Sequence, residues 1–110
     1  MIADISAMHK NFITHGDAHA GNILVKGEKL FWSDFDKMKK GRLYLTLGGR
    51  QYDLYKTLRS IVSPLVAAGL WSRESSRTVR QALDCEYPGY AGLKKKVYKK
   101  IKSMHKEFEY

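Results

Sequence analysis

Asp17, Asn22 and Asp34 are the residues of this chain best suited by type and spacing to carry out chemistry. They stand in the segments His15-Gly16-Asp17-Ala18-His19-Ala20-Gly21-Asn22 and Phe31-Trp32-Ser33-Asp34-Phe35-Asp36, with five positions from the first Asp to the Asn and twelve from the Asn to the second Asp. A loop carboxylate such as Asp17 can accept a hydrogen bond from a hydroxyl and aim it at an electrophile. The Asn22 carbonyl and the Asp34 carboxylate are oxygen ligands of the kind a hard cation such as Mg²⁺ takes. One carboxylate for the nucleophile and an Asn–Asp pair for a divalent cation are what in-line phosphoryl transfer to a hydroxyl requires. Asp36 shares the face of Asp34 if the strand runs on, by the period of two, and offers a carboxylate to a second metal or to solvent.

These groups need a scaffold that turns back on itself. Ile23-Leu24-Val25 and Leu30-Phe31-Trp32 read as short strands, with Lys26-Gly27-Glu28-Lys29 as the turn of a hairpin that brings Asn22 and Asp34 together. Upstream, Ile2, Ile5, Met8, Phe12 and Ile13 have helical spacing, which predicts a helix over 2–13 that abuts the start of the chain. Downstream, 37–50 reads as irregular, with a short strand at 43–45 and a break at Gly48-Gly49. Leu54, Leu58, Ile61, Val62 and Leu65 predict a helix over 51–68 that Pro64 kinks or ends. Ser72 is an N-cap for a helix over 73–83, residues 85–92 read as loop, and 93–108 as a last amphipathic helix. The expected fold is α+β, mostly α: a single domain over 1–110 in which a small β-hairpin carries the chemistry and helices follow.

Composition bounds the reading. A chain of 110 residues with 44% hydrophobic residues suits one small folded domain. It has no apolar run long enough for a transmembrane helix, and the residues from Met1 to Ile5, without a basic stretch followed by an apolar one, are not expected to be a secretory signal. The single cysteine, Cys85, cannot form an internal disulfide, and a reducing, cytoplasmic setting is the expectation. The net charge of +9 favours anionic partners. Lysines crowd residues 94–106, from Lys94 to Lys106, on the polar side of the last helix. That helix could lie peripherally on an anionic inner-membrane surface or meet nucleic-acid phosphates, nucleic acid being the less expected partner; the plainer alternative packs its apolar stripe into the core and leaves the lysines in solvent.

The stretch from His15 to Val25 resembles the catalytic loop of the protein-kinase-like superfamily, in the branch that holds aminoglycoside and choline phosphotransferases, atypical bacterial kinases and lipopolysaccharide core sugar kinases. In that branch a Gly commonly stands where protein kinases have the Arg of His-Arg-Asp, as Gly16 does here. Asp34-Phe35-Asp36 resembles the metal-binding Asp-Phe-Gly, with Asp36 in place of the Gly. The resemblance implies a kinase-like C-terminal lobe using ATP and Mg²⁺, with Asp17 and Asn22 catalytic, and Asn22 and Asp34 on the metal and nucleotide. It also implies that His15 is a scaffold residue and that Asp53, opening the helix after the irregular segment, braces the catalytic-loop backbone. The implied acceptor is a hydroxyl of a sugar, a lipopolysaccharide-type glycan or another small molecule. The family's N-terminal lobe, with a phosphate-covering glycine loop and a strand Lys, has no counterpart here: no Gly-x-Gly-x-x-Gly occurs, and Gly48-Gly49 follows the motif. The chain therefore reads as an isolated C-lobe, with an inactive kinase-like remnant or a basic membrane- or nucleic-acid-binding module as the alternatives.

Two other chemistries deserve weighing. His15 and His19 flank Asp17 at a spacing that would suit a two-His, one-carboxylate metal site on a helix, but the glycines argue for loop. Cys85 has no His partner in sequence and reads as an inert thiol, and His105 as a surface residue.

Overall fold

The first helix stops sooner than its apolar spacing predicts, and the early stop creates the platform for the loop that follows. The computed structural model of the chain describes residues 1–108, with the side chains of Thr46 and Leu47 outside the description. Helix α1 spans Ile2–Lys10. Asn11 closes it, its amide donating to the Ala7 carbonyl at 2.8 Å, and Phe12 enters the left-handed region at φ 59°. Both devices break helical hydrogen bonding, so Ile13 leaves the expected helix over 2–13 and begins β1 (Ile13–Thr14).

A 3₁₀ turn at Ala20–Asn22 leads into β2 (Ile23–Lys26), which pairs antiparallel with β3 (Lys29–Trp32). The hairpin is as the sequence predicts, but tighter. Lys26 faces Lys29, and only Gly27 and Glu28 turn the chain, with Gly27 at φ 63°. After β3 the chain returns as β4 (Lys39–Lys40), which pairs with β1 in a second two-stranded antiparallel sheet. Strand β3 ends at Trp32, so the alternation expected to put Asp34 and Asp36 on one strand face does not apply.

The short strand expected at 43–45 is helical instead. Gly41, at φ 131°, redirects the chain into α2 (Arg42–Tyr44), a wide π-turn (Leu45–Gly49) and then α3 (Arg50–Ala67) in one unbroken run. Helical hydrogen bonds through α2 and the π-turn take the place of a strand ladder here, against the local β preference of Leu43-Tyr44-Leu45. Gly48-Gly49 is a turn within that run, not a break. A Cβ on Gly49 would come within 2.5 Å of the Tyr44 carbonyl and the Thr14 methyl.

Pro64 neither ends nor replaces the last turn of α3, which runs three residues further and closes at Gly69, φ 70°. Ser72 caps α4 (Arg73–Glu86) through a reciprocal bond set with Ser75, and α5 (Ala91–Met104) completes the helices. Both differ from their expected bounds: α4 runs three residues past 83, while α5 begins earlier and stops before 105–108. Those last residues fold back so that Phe108 packs, fully buried, against Trp71 and Tyr98.

The architecture is α+β, mostly helical, with two small antiparallel sheets. Helix α3 lies centrally, packed against α5 and α1, with α4 against α1. The core joins Ile5, Leu54, Leu58, Val62, Leu83, Val97 and Ile101. Full burial of each such side chain contributes roughly 1.5–3 kcal/mol. The apolar stripe of α5 enters the core through Val97 and Ile101, with Leu93 packed against it and Met104 exposed, while Lys94 pairs with Asp84 and Lys100 lies over the Tyr55 ring. Among the described residues, no helix is long and apolar enough to cross a membrane.

Candidate functional site

Asp53 organises the loop that carries Asp17. It sits one turn into α3, fully buried, facing the exit of β1. Its Oδ2 accepts the backbone N–H of His15 and its Oδ1 that of Gly16, each at 2.9 Å. His9 Nε2 lies 2.9 Å from Oδ2. Burial raises the pKa of the Tyr87 hydroxyl, which therefore stays protonated and donates to His9 Nδ1 at 2.7 Å. That leaves His9 Nε2–H to donate to Asp53. A chain of donors from α4's end, through α1, to α3 thereby satisfies a carboxylate that burial would otherwise penalise.

His15 is used on both ring nitrogens. Nδ1 accepts the Asp17 N–H at 3.1 Å, so Nε2 carries the proton and donates to the Ser33 carbonyl at 2.9 Å. The ring is fully buried against Trp32 and Phe35. His15 therefore ties the loop to the residue before Asp34, and no ring nitrogen remains for a metal or a proton transfer. Gly16 fits a place no other residue can take: its φ is +85°, and a Cβ there would collide with the Lys37 backbone carbonyl.

Asp17 emerges from this brace half-buried, bonded by two partners and with His19 Nε2 3.6 Å from its Oδ1. Lys56 Nζ bonds Oδ1 at 2.7 Å, and the Asn22 amide donates to Oδ2 at 3.2 Å and to the Asp17 carbonyl at 2.8 Å. The Lys56 hydrogen bond holds the Asp17 carboxyl down at about 2, against partial burial, which acts the other way; Asn22 adds to the lowering. The same bond raises the pKa of Lys56. With the Asn22 side-chain nitrogen committed to Asp17, its side-chain oxygen Oδ1 is the amide atom that could take a cation.

The rest of the loop is pinned by α3. The Ala20 N–H donates to Ser60 Oγ at 2.8 Å, and Thr57 Oγ1 lies 3.0 Å from the Ala18 carbonyl. At the far end, the N–H and hydroxyl of Ser33 both donate to the Asn22 backbone carbonyl, at 2.7 and 3.0 Å. Asp34 follows directly, exposed and in the left-handed region at φ 55°, a conformation Asp tolerates but rarely adopts without a surrounding constraint.

The structure thus brings Asp17 and Asn22 into contact and leaves Asp34 one residue from a contact with Asn22. Asp36 is exposed in the turn that leads to β4. Among the described residues, no three His, Cys, Asp or Glu side chains cluster as metal ligands. The two-His, one-carboxylate alternative fails on His15, whose nitrogens are both engaged. Sequence reasoning missed Lys56, Thr57 and Ser60. They fall on the same side of α3 as Asp53, at spacings of three, four and seven, a polar stripe that reads in sequence as a solvent face.

Beside Asp17 a groove of about 520 Å³ opens between the 3₁₀ turn and α3, lined by His19, Lys56, Arg59, Ser60, Ser63 and Pro64 among others. The arrangement sets the ionised Asp17 carboxylate beside the groove, with Asn22 bonded to it and Asp34 one residue beyond Ser33. No protein-family model, no curated protein and no solved structure matches the chain.

Proposed function

We propose that this chain is the catalytic lobe of a kinase-type phosphotransferase that moves the γ-phosphoryl group of ATP to a hydroxyl of a sugar, a glycan or another small molecule. One observation carries the reading. Buried Asp53 grips the backbone of His15 and Gly16, and His15 in turn grips Ser33, so a single buried carboxylate sets the positions of Asp17, Asn22 and Asp34 together. Such bracing is what positional catalysis needs, because displacements of an ångström are costly in rate.

The donor set fits Mg²⁺: an amide carbonyl and a carboxylate are hard oxygen ligands, and two protein ligands with nucleotide phosphates and water completing the shell is the usual arrangement for this ion. Asn22 and Asp34 would hold it, with Asp36 as a further carboxylate nearby, and it would neutralise charge on the phosphates of ATP. Asp17 is ionised at neutral pH and too weak a base to remove a hydroxyl proton early. Its role is to accept the hydrogen bond of the acceptor hydroxyl, orient it, and take the proton late. A carboxylate has about four acceptor sites, so the hydroxyl can join Lys56 without expelling it. A cytoplasmic location follows from the need for ATP, and the exposed lysines of α5 are a surface for anionic lipid.

Titration calorimetry of Mg·ATP into the chain tests the proposal. Binding that Asp34→Ala weakens at least tenfold and Asp17→Ala leaves nearly unchanged is expected. No heat at millimolar nucleotide would overturn the assignment for the chain as it stands.

A further inference from the structure

We infer that the groove beside Asp17 is a binding site for an anionic acceptor, with Arg59 as the residue that selects the negative charge. The inference rests on the phosphotransferase reading only in calling the ligand an acceptor; the anion site itself stands on the groove.

Two cations of α3 reach the groove, and their situations differ. Lys56 is bonded to Asp17 at 2.7 Å, so its charge is largely answered. Arg59 is exposed, and among the described residues no carboxylate pairs with it. It is the uncommitted cation of the groove. His19, Ser60 and Ser63 line the same groove, Ser60 Oγ held between the Ala20 N–H and the Thr57 carbonyl, and His105 from the end of α5 lies 2.7 Å from Ser63 Oγ. Among the described residues, no carboxylate lines the groove itself, and the Asp17 beside it is offset by Lys56. A ligand entering here meets net positive charge at Arg59 and a hydroxyl acceptor at Asp17.

Lys56 and Arg59 are three apart on α3 and so neighbours on one helix face, with Lys56 in turn bonded to Asp17, which lets one small ligand meet both Asp17 and Arg59. Sugar phosphates and uronic acids carry a hydroxyl and an anionic group on one small molecule. Cationic acceptors such as aminosugars do not fit, since their ammonium groups would face Arg59 at short range with no carboxylate other than Asp17 to receive them.

The test is an NMR titration of the whole chain with glucose 6-phosphate, glucuronate, glucose, glucosamine and inorganic phosphate, run on wild type, Arg59→Ala and Arg59→Lys. The two anionic sugars are expected to bind and to shift the amides of 19–21 and 59–63. Glucose and glucosamine are expected to bind at least tenfold more weakly. Arg59→Ala should weaken the anionic sugars about tenfold or more, the effect of losing a hydrogen bond to a charged group, and Arg59→Lys should restore part of it. Preference between the two anionic sugars identifies phosphate or carboxylate as the group read. Equal binding of all four sugars, no effect of Arg59→Ala, or shifts confined to 94–106 would each overturn the inference. Inorganic phosphate competing as well as glucose 6-phosphate would overturn the acceptor assignment. Because Arg59 is exposed, the variants test binding rather than folding. Anionic-sugar binding that depends on Arg59 while Mg·ATP fails to bind keeps the anion site and removes the phosphotransferase reading; the reverse pattern removes the site and keeps the reading.

Discussion

The loop over 15–22 and the hairpin over 23–32 are neighbours in sequence and opposites in how they are held. The loop is polar, yet His15 is fully buried and Asn22 nearly so, and its backbone is bonded to Asp53, Thr57 and Ser60 on α3. The hairpin is apolar, yet Leu24 and Val25 are 60% and 70% exposed, and Leu30 and Phe31 nearly half. The usual assignment of polar residues to water and apolar ones to the core is inverted across a single residue boundary. Burying polar groups is costly unless each finds a partner, so the loop has one geometry in which its donors and acceptors are satisfied. The hairpin is set by its own ladder, by Trp32 packed against His15 and the core, and by its attachment at Ser33. The contrast separates a part of the molecule that specifies atomic positions from a part that only has to stay paired.

Removing the brace should break the contrast most severely. Asp53→Ala leaves two backbone N–H groups and His9 facing a void, and is expected to cost about 3–5 kcal/mol, the range for breaking one side of a buried charged network. Urea unfolding measures it. A loss below about 1 kcal/mol would mean that the loop is held by something other than Asp53.

Gly16→Ala attacks the same loop without touching a hydrogen-bonding group. The φ of +85° alone costs of order 1–3 kcal/mol for a residue with a Cβ, and the Lys37 carbonyl must also move. The expected loss is about 2–3 kcal/mol, with amide shifts that spread to Lys37. An alanine tolerated without loss would show that the Gly16 backbone is free to relax.

A pH titration sharpens the picture at Asp17. Its carboxyl is held at about 2, below the ordinary value for an Asp in an unfolded chain, so the pairing with Lys56 stabilises the fold above that ordinary value. The contribution fades as the pH falls from about 4 toward 2, where the folded form also takes up the proton. Carboxyl carbon shifts should give a midpoint near 2 in the wild type. In Lys56→Met the midpoint should return most of the way to the ordinary range, and the acid limb of the stability profile should flatten. An unchanged midpoint in Lys56→Met would assign the depression to Asn22 instead.

Much of this was legible in the residues themselves. The hairpin, the Ser72 cap and the central helix announce themselves through alternation, capping and 3.6-residue spacing, which are local signals. The expected brace from Asp53 onto the backbone of His15 and Gly16 is present as hydrogen bonds. What was not legible is long-range. Lys56, Thr57 and Ser60 are polar residues on a helix, and only tertiary packing turns their side toward the loop. The early end of α1 depends on Phe12 adopting a left-handed conformation so that Ile13 can pair with Lys40. The helical state of 43–45 depends on the run into α3, against the local preference of Leu43, Tyr44 and Leu45. The His9–Tyr87 contact joins residues 78 apart in the chain. None of these is encoded within a window that periodicity can read.

The smallest effect expected is also the one that isolates the hairpin. Leu24 and Phe31 face each other across β2 and β3, both well exposed. Replacing both with threonine introduces β-branched side chains that suit the ladder while removing apolar surface that is already largely in water. A cross-strand pair of this kind is worth roughly 0.2–1 kcal/mol, so the double variant should lose about 0.5 kcal/mol. The Asp17 midpoint should stay where it is, because the loop's bonds run to α3 and, through Ser33, to the end of β3 beyond the exchanged pair. A loss above about 1.5 kcal/mol would mean that the exposed face contributes to the core, since surface exchanges away from special features stay within about 0.5 kcal/mol. A shift of the Asp17 midpoint without a loss of stability would mean the reverse coupling: that the hairpin, though exposed, sets the geometry of Asn22 and through it the charge on Asp17.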